Sequence, residues 1–72
     1  MKDMKVVDIL DKISVVEKVA VLIRKKGEDV LTTDEKGLSP ALLIASLPVY
    51  ALQADVSYIG VYHGIILIGG KI

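Results

Sequence analysis

His63 is the residue most suited to acid–base chemistry, because it is the only histidine in the chain. Proton transfer would require a nucleophile and an orienting carboxylate within hydrogen-bond reach of its ring. Several serines and Asp55 provide these groups on paper, but no serine lies in the strained turn that marks a hydrolase nucleophile. The sequence therefore predicts no catalytic residue, and we expect a protein that is not an enzyme.

Carboxylates occur in two pairs that could attract a cation, Asp8 with Asp11 and Asp34 with Glu35. Each pair offers fewer oxygen ligands than a calcium loop, and such pairs are typical of solvated surfaces. The chain has no cysteine, so thiolate metal sites and disulfides are excluded. The glycines of GVYHG and IGGK are not followed by a helix, as a phosphate-binding loop would require. We therefore expect no metal and no cofactor.

The segment VSYIGVYHGIILIGG, residues 56–70, has the pattern of a β-hairpin. His63 and Gly64 are suited to be its two central turn residues, since both tolerate the positive φ angles of a tight turn. Counting outward from that turn gives the pairs Tyr62–Ile65, Val61–Ile66, Gly60–Leu67, Ile59–Ile68 and Tyr58–Gly69. We therefore interpret His63 as a turn residue at an exposed tip rather than as a site.

The two faces of this hairpin differ in chemistry. One face is aliphatic and is expected to lie under the helices; it carries Ile59, Val61, Ile66 and Ile68. The other face is expected to be partly uncovered and to serve as an interaction face; it carries Tyr58, Tyr62, Ile65 and Leu67. Tyrosine is enriched where subunits meet, so we predict that two copies of the chain meet there or along the last strand.

Hydrophobic periodicity predicts three elements in the first half of the chain. Residues 5–13 have the i, i+3, i+4, i+7 spacing of a short amphipathic helix. Residues 16–24 are rich in β-branched side chains, and residues 28–33 form a shorter, more polar returning strand. The turn between these strands contains Gly27, which can adopt positive φ. Together the two strands predict a first β-hairpin.

A second helix is predicted to begin at Ser39, with Pro40 in its first position, and to end before Pro48. Residues 49–55 are open between a loop and an entering strand. The predicted fold is one small α+β domain over residues 1–72. Its order is α-β-β-α-β-β, with a four-stranded antiparallel sheet and two short helices on one face.

A chain of 72 residues buries too little surface to be more than marginally stable on its own. Small domains commonly compensate with disulfides, a metal or a partner subunit. Without cysteine and with one histidine, only carboxylate-dominated metal sites are left, and oligomerisation is the remaining common remedy. We therefore expect a homo-oligomer, a dimer or larger, or a complex with another protein. The predicted function is a non-catalytic interaction module that acts by self-association or through a protein partner.

Charge is unevenly distributed, although the net charge is zero. Sixteen of the eighteen charged residues precede position 37, and residues 37–54 carry none. Eighteen uncharged residues are enough to suggest a membrane span, so a membrane-associated protein through residues 37–70 is one alternative. Pro40 and Pro48 interrupt the stretch, which favours a core helix and buried strands instead. The lack of cysteine and of an apolar leader in residues 1–11 predicts a cytoplasmic location.

A nucleic-acid-binding module is the other alternative. Tyr58 and Tyr62 could stack nucleobases, and Arg24, Lys25 and Lys26 could supply a basic patch. A net charge of zero and the absence of Phe and Trp argue against this function, because phosphate binding depends on a basic excess or a basic face.

Three pieces, KVVDILDKI, VAVLI and GVYHGIILIG, are spread along the chain between residues 5 and 69. In these pieces the chain resembles a group of small uncharacterised proteins encoded by phages and mobile elements of Gram-positive bacteria. Those proteins open with a similar helix, continue with a V-x-V hairpin and close with an apolar hairpin. The resemblance implies the same order of elements, and it carries over no catalytic residue.

Overall fold

Two β-hairpins and three short helices make up the part of the chain that the structure describes. A computed structural model describes residues 4–72, so the first three residues of the predicted domain 1–72 lie outside the described part. The elements are α1 (Val6–Leu10), β1 (Val19–Lys25), β2 (Glu28–Thr32), α2 (Pro40–Ser46), α3 (Val49–Leu52), β3 (Asp55–Tyr62) and β4 (Ile65–Lys71). The predicted α+β class and element order are confirmed. One helix is added, because α3 occupies a segment that was open between loop and strand.

Both hairpins close through two residues with positive φ. Lys26 and Gly27 have φ angles of 52° and 82°, and His63 and Gly64 have 51° and 76°. Two consecutive positive φ angles are typical of a type I′ turn, whose twist matches that of the flanking strands. The five pairs predicted for the second hairpin are all present in its register. His63 is therefore an exposed turn residue, as predicted.

Helix α2 begins where the sequence predicts. The backbone N–H of Leu42 donates a hydrogen bond to Ser39 Oγ at 3.2 Å, and Pro40 occupies the first helical position. The helix ends at Ser46, the backbone of the next residue, Leu47, is extended, and Pro48 then precedes α3. The uncharged stretch 37–54 is thus divided between two short helices. Within residues 4–72, no helix is long and apolar enough to cross a membrane.

The strand order across the sheet is β2-β1-β4-β3. The two hairpin pairs are antiparallel, but the central pair β1–β4 is parallel, so the sheet is mixed. The expectation of an entirely antiparallel sheet is therefore wrong at this junction. Strands β2 and β3 run in the same direction, and residues 33–54 return the chain across the sheet between them. A connection of that length, with two helices, is what a parallel arrangement requires.

One core lies between the sheet and the helices, which all pack on the same side. Its fully enclosed side chains come from α1, β1, α2 and β4: Val6, Leu10, Val19, Val21, Ile23, Leu43 and Ile68. Ile59 and Val61 point to this side as predicted, yet they are 39% and 75% exposed. The expectation that the helices cover them is wrong, because the helices pack over β1 and β4 and leave the second half of β3 bare.

Candidate interaction surface

The four residues predicted to form an interaction face lie together on the side of the sheet away from the helices. Tyr62 is opposite Ile65, and Tyr58 and Leu67 lie on the same side of the hairpin. We call these four residues the tyrosine face. Tyr62 is 69% exposed and Tyr58 is 42% exposed, whereas Ile65 and Leu67 are half-buried. The tyrosine face is therefore a shallow apolar surface on which the side chain of Tyr62 is more exposed to solvent than that of Tyr58.

Tyr58 partly serves its own fold, because its ring covers Gly69 on the neighbouring strand. The two residues form a cross-strand pair, and a Cβ at Gly69 would collide with three atoms of the ring. Gly69 is buried although it has no side chain of its own. An aromatic ring over a glycine compensates for the packing that the glycine lacks. Tyr62 is consequently the cleaner probe of any partner contact.

A shallow hollow of about 150 Å³ lies beside Tyr62. Its walls are Ala20, Ile65 and Leu67 from the sheet, and Glu35 from the loop that follows β2. The hollow is smaller than the roughly 300–1,000 Å³ of a typical small-molecule site. An adjoining, more open hollow of about 340 Å³ shares Glu35, Tyr62 and Ile65 with it, so the surface beside Tyr62 is open rather than enclosed.

His63 is not assembled into a catalytic arrangement. Its ring lies 4.2 Å from the Tyr62 ring, centre to centre, in an edge-on contact. Asp55, the acid considered for a triad, is at the opposite end of β3, where its Oδ1 accepts a hydrogen bond from Lys5 Nζ at 2.6 Å. Ser39 caps α2. The structure therefore does not bring these groups together.

The basic residues Arg24, Lys25 and Lys26 do not join the tyrosine face in one surface. Arg24 lies on the same side of the sheet, but its Nε donates to Asp29 Oδ1 at 2.7 Å. Lys25 is the next residue along β1, so its side chain is on the opposite side of the sheet, and Lys26 is in the turn. Strand β4 separates all three from Tyr58. Their charge is thus partly neutralised and displaced from the aromatic rings.

A row of charged residues crosses the sheet at the end far from Tyr62. Each residue is the register partner of the next, in the order Asp29, Arg24, Lys71, Asp55 and Lys5. The hydrogen bond from Lys5 and its positive charge, with help from Lys71, lower the pKa of Asp55. The only sequence signal for this row is that Asp55 and Lys71 are the sole charges after residue 36.

Ile59 and Val61 are surface residues that sequence reasoning placed in the core. They lie on β3, which is an edge strand, and alternate with the tyrosines along it. Apolar side chains are therefore exposed on both sides of one strand, from Tyr58 to Tyr62. The sequence signal for this feature is the absence of any charged residue between Asp55 and Lys71.

Compared with protein-family models, with curated proteins and with solved structures, the chain matches none. The resemblance to small phage and mobile-element proteins therefore stays a prediction.

Proposed function

We propose that the protein is a non-catalytic interaction module that acts by binding a second copy of itself through the β3–β4 hairpin. The observation that supports this function is the exposed apolar stretch of β3, where four large side chains lie within five residues: Tyr58, Ile59, Val61 and Tyr62. Exposed apolar patches of this kind mark interaction sites in soluble proteins. A second copy would remove the stretch from water and enlarge a small core.

A nucleic-acid-binding module is the less favoured function. Its charge would have to come from Arg24, Lys25 and Lys26, and the geometry separates these residues from Tyr58 and Tyr62. Phosphate contacts and base stacking would then fall on different parts of the molecule. The absence of cysteine is compatible with the cytoplasm, the location that we propose.

Sedimentation equilibrium over a wide range of protein concentration tests the proposal. We expect a reversible dimer or larger oligomer with an absorbance spectrum free of nucleic acid. The variant Val61→Lys should lower the association constant at least tenfold, because it places a charge in the contact. Val15→Lys is a matched control, since both valines are 75% exposed and Val15 lies in the loop after α1. A wild-type protein that stays monomeric at all concentrations would refute the proposal.

A further inference from the structure

We infer that the second copy binds edge to edge along β3, antiparallel to it, about a two-fold axis at Gly60. The two sheets would join into one sheet of eight strands. This inference rests on the proposed function and specifies the contact through which it operates. Three features of the structure carry it: the direction of the peptide groups on β3, the lack of edge protection, and the symmetry of the exposed side chains.

The direction of the peptide groups follows from the hydrogen bonds of β4. The N–H of Ile66 donates to Lys18 O at 3.0 Å, so the backbone N–H and C=O groups of Ile66 are directed toward β1. The direction of the backbone N–H and C=O groups alternates from one residue to the next along a strand, so those of Ile65 and Leu67 are directed toward β3. Their partners on β3 bond inward to β4, and the residues between those partners direct their N–H and C=O groups outward.

These outward groups belong to Ile59 and Val61, since Gly60 and Tyr62 are the partners of Leu67 and Ile65. Near the start of β3 the outer edge is occupied, because the N–H of Val56 donates to Met4 O at 2.9 Å. Among residues 4–72, no strand pairs with the outer edge beyond that point. Two N–H and two C=O groups are therefore available to a partner strand.

Neither charge nor proline protects this part of the edge, which has the uncharged sequence VSYIGVY. Soluble proteins commonly protect an edge with charges, proline, a bulge or a short strand. The other edge of the sheet follows that rule, because β2 has only five residues and begins with exposed Glu28 and Asp29. Strand β3 has a bulge only near its start, between Val56 and Tyr58. The unprotected edge therefore indicates a strand that pairs.

The stretch from Tyr58 to Tyr62 is complementary to itself when it is reversed about Gly60. Ile59 then faces Val61 of the second copy, so every outward peptide group meets another and four backbone hydrogen bonds form. Tyr58 faces Tyr62 of the second copy on the tyrosine face, and Ile59 and Val61 form an aliphatic cluster on the other side. No like charges meet. A Cβ at Gly60 would have no atom within 4 Å, which leaves room at the axis.

The size of this contact predicts a weak dimer. The exposed parts of Tyr58 and Tyr62, 42% and 69% of each residue, amount to on the order of 200 Å² per copy. Even with Ile59 and Val61, the interface lies at the low end for specific complexes, below about 1,200 Å² in total. Dissociation is therefore expected in the micromolar range or above, and the experiment should trap the contact covalently.

Cysteine cross-linking tests the register directly, because the chain has no cysteine of its own. Gly60 would face Gly60 of the second copy as a non-hydrogen-bonded pair, with Cα atoms about 4.5 Å apart, within reach of a disulfide. In Gly60→Cys we expect a disulfide-linked dimer in a glutathione redox buffer. The control Ser57→Cys is exposed but lies three residues from the axis, so its two thiols would be roughly 20 Å apart. Gly60→Cys should cross-link at least tenfold faster.

A second pair of variants tests the same register without substituting Gly60, in case Gly60→Cys does not fold. Ile59→Cys mixed with Val61→Cys should give mainly the mixed disulfide dimer, since those residues face each other in the inferred register. If wild type sediments as a dimer but Gly60→Cys links no faster than Ser57→Cys and the mixture shows no preference, the edge contact is wrong and the proposed function stands. If wild type is monomeric, both fail.

Discussion

Tyr58 and Gly69 should be energetically coupled, because the ring of one covers the backbone of the other. Gly69→Ala forces the ring away from the strand, since the new methyl group would occupy the position of the ring. The same substitution in a Tyr58→Ala background meets no ring. The sign of the effect of Gly69→Ala on the free energy of unfolding should therefore reverse between the two backgrounds.

The magnitude follows from the coverage of Tyr58, which is 42% exposed. An enclosed aromatic side chain buries ~150–250 Å², so a little over half of that area corresponds to about 2–4 kcal/mol at ~25 cal/mol per Å². Gly69→Ala in wild type loses much of this contribution and regains the ~0.5–1 kcal/mol that alanine gains over glycine in a strand. We expect a net loss of about 1–2 kcal/mol, and in Tyr58→Ala a gain of about 0.5–1 kcal/mol.

Urea unfolding followed by circular dichroism measures all four proteins, at a concentration where sedimentation shows one oligomeric state. Gly60→Ala is the matched control, because a Cβ at Gly60 would have no atom within 4 Å. It should leave stability unchanged or slightly higher. An equal effect of Gly69→Ala with and without the Tyr58 ring would refute the reasoning, because it would place the ring elsewhere.

Two further predictions concern the packing of the core and the charged row. Gly70→Ala should destabilise the fold by about 1–3 kcal/mol, because its Cβ would lie 2.8 Å from Ile23 Cδ1 and 3.0 Å from Val6 Cγ2; an unchanged urea midpoint would contradict this packing. Asp55→Asn should lower the urea midpoint at neutral pH, where the Asp55 carboxylate is paired with Lys5. Because the pKa of Asp55 is lower in the folded protein, the carboxylate stabilises the fold above the ordinary pKa of 3.8. That contribution is lost as the pH falls through the lowered value, so wild type and Asp55→Asn should converge in acid, and a constant difference would contradict the pairing.

The hairpins could be predicted from the sequence because a two-residue turn determines which residues of its two flanking strands pair with each other. Once His63 and Gly64 form the turn, the register of β3 and β4 follows by counting, and a shift of one residue would move every apolar side chain to the other face. The start of α2 was equally local, since Ser39 and Pro40 act within one helical turn.

The parallel pairing of β1 and β4 could not be predicted in this way. Both hairpins are compatible with either orientation of one against the other, and the choice depends on how residues 33–54 cross the sheet. That path involves α3, which has only four residues: Val49 and Tyr50 favour strands, whereas Ala51 and Leu52 favour helices. Contacts between residues distant in sequence made the choice, and no local pattern records them.

The side chains that share the tyrosine face could be predicted from the sequence, but the exposure of Ile59 and Val61 on the other side of β3 could not. Tyr58, Tyr62, Ile65 and Leu67 share a face because side chains alternate along a strand. The alternation of side chains along a strand does not show, however, which strand lies at the edge of the sheet or which strands the helices cover. Ile59 and Val61 have the same pattern as Ile66 and Ile68, and only the position of β3 outside β4 leaves them exposed.

The apolar second half of the chain therefore has two different explanations. Strand β4 lies between two other strands, with the helices over one of its faces and Tyr58 over part of the other, so its own fold accounts for its lack of charge. Strand β3 has the same composition without the same cover. A solvated edge strand would be expected to carry charged residues, and β2 does. The second strand that we propose beside β3 would account for its uncharged stretch.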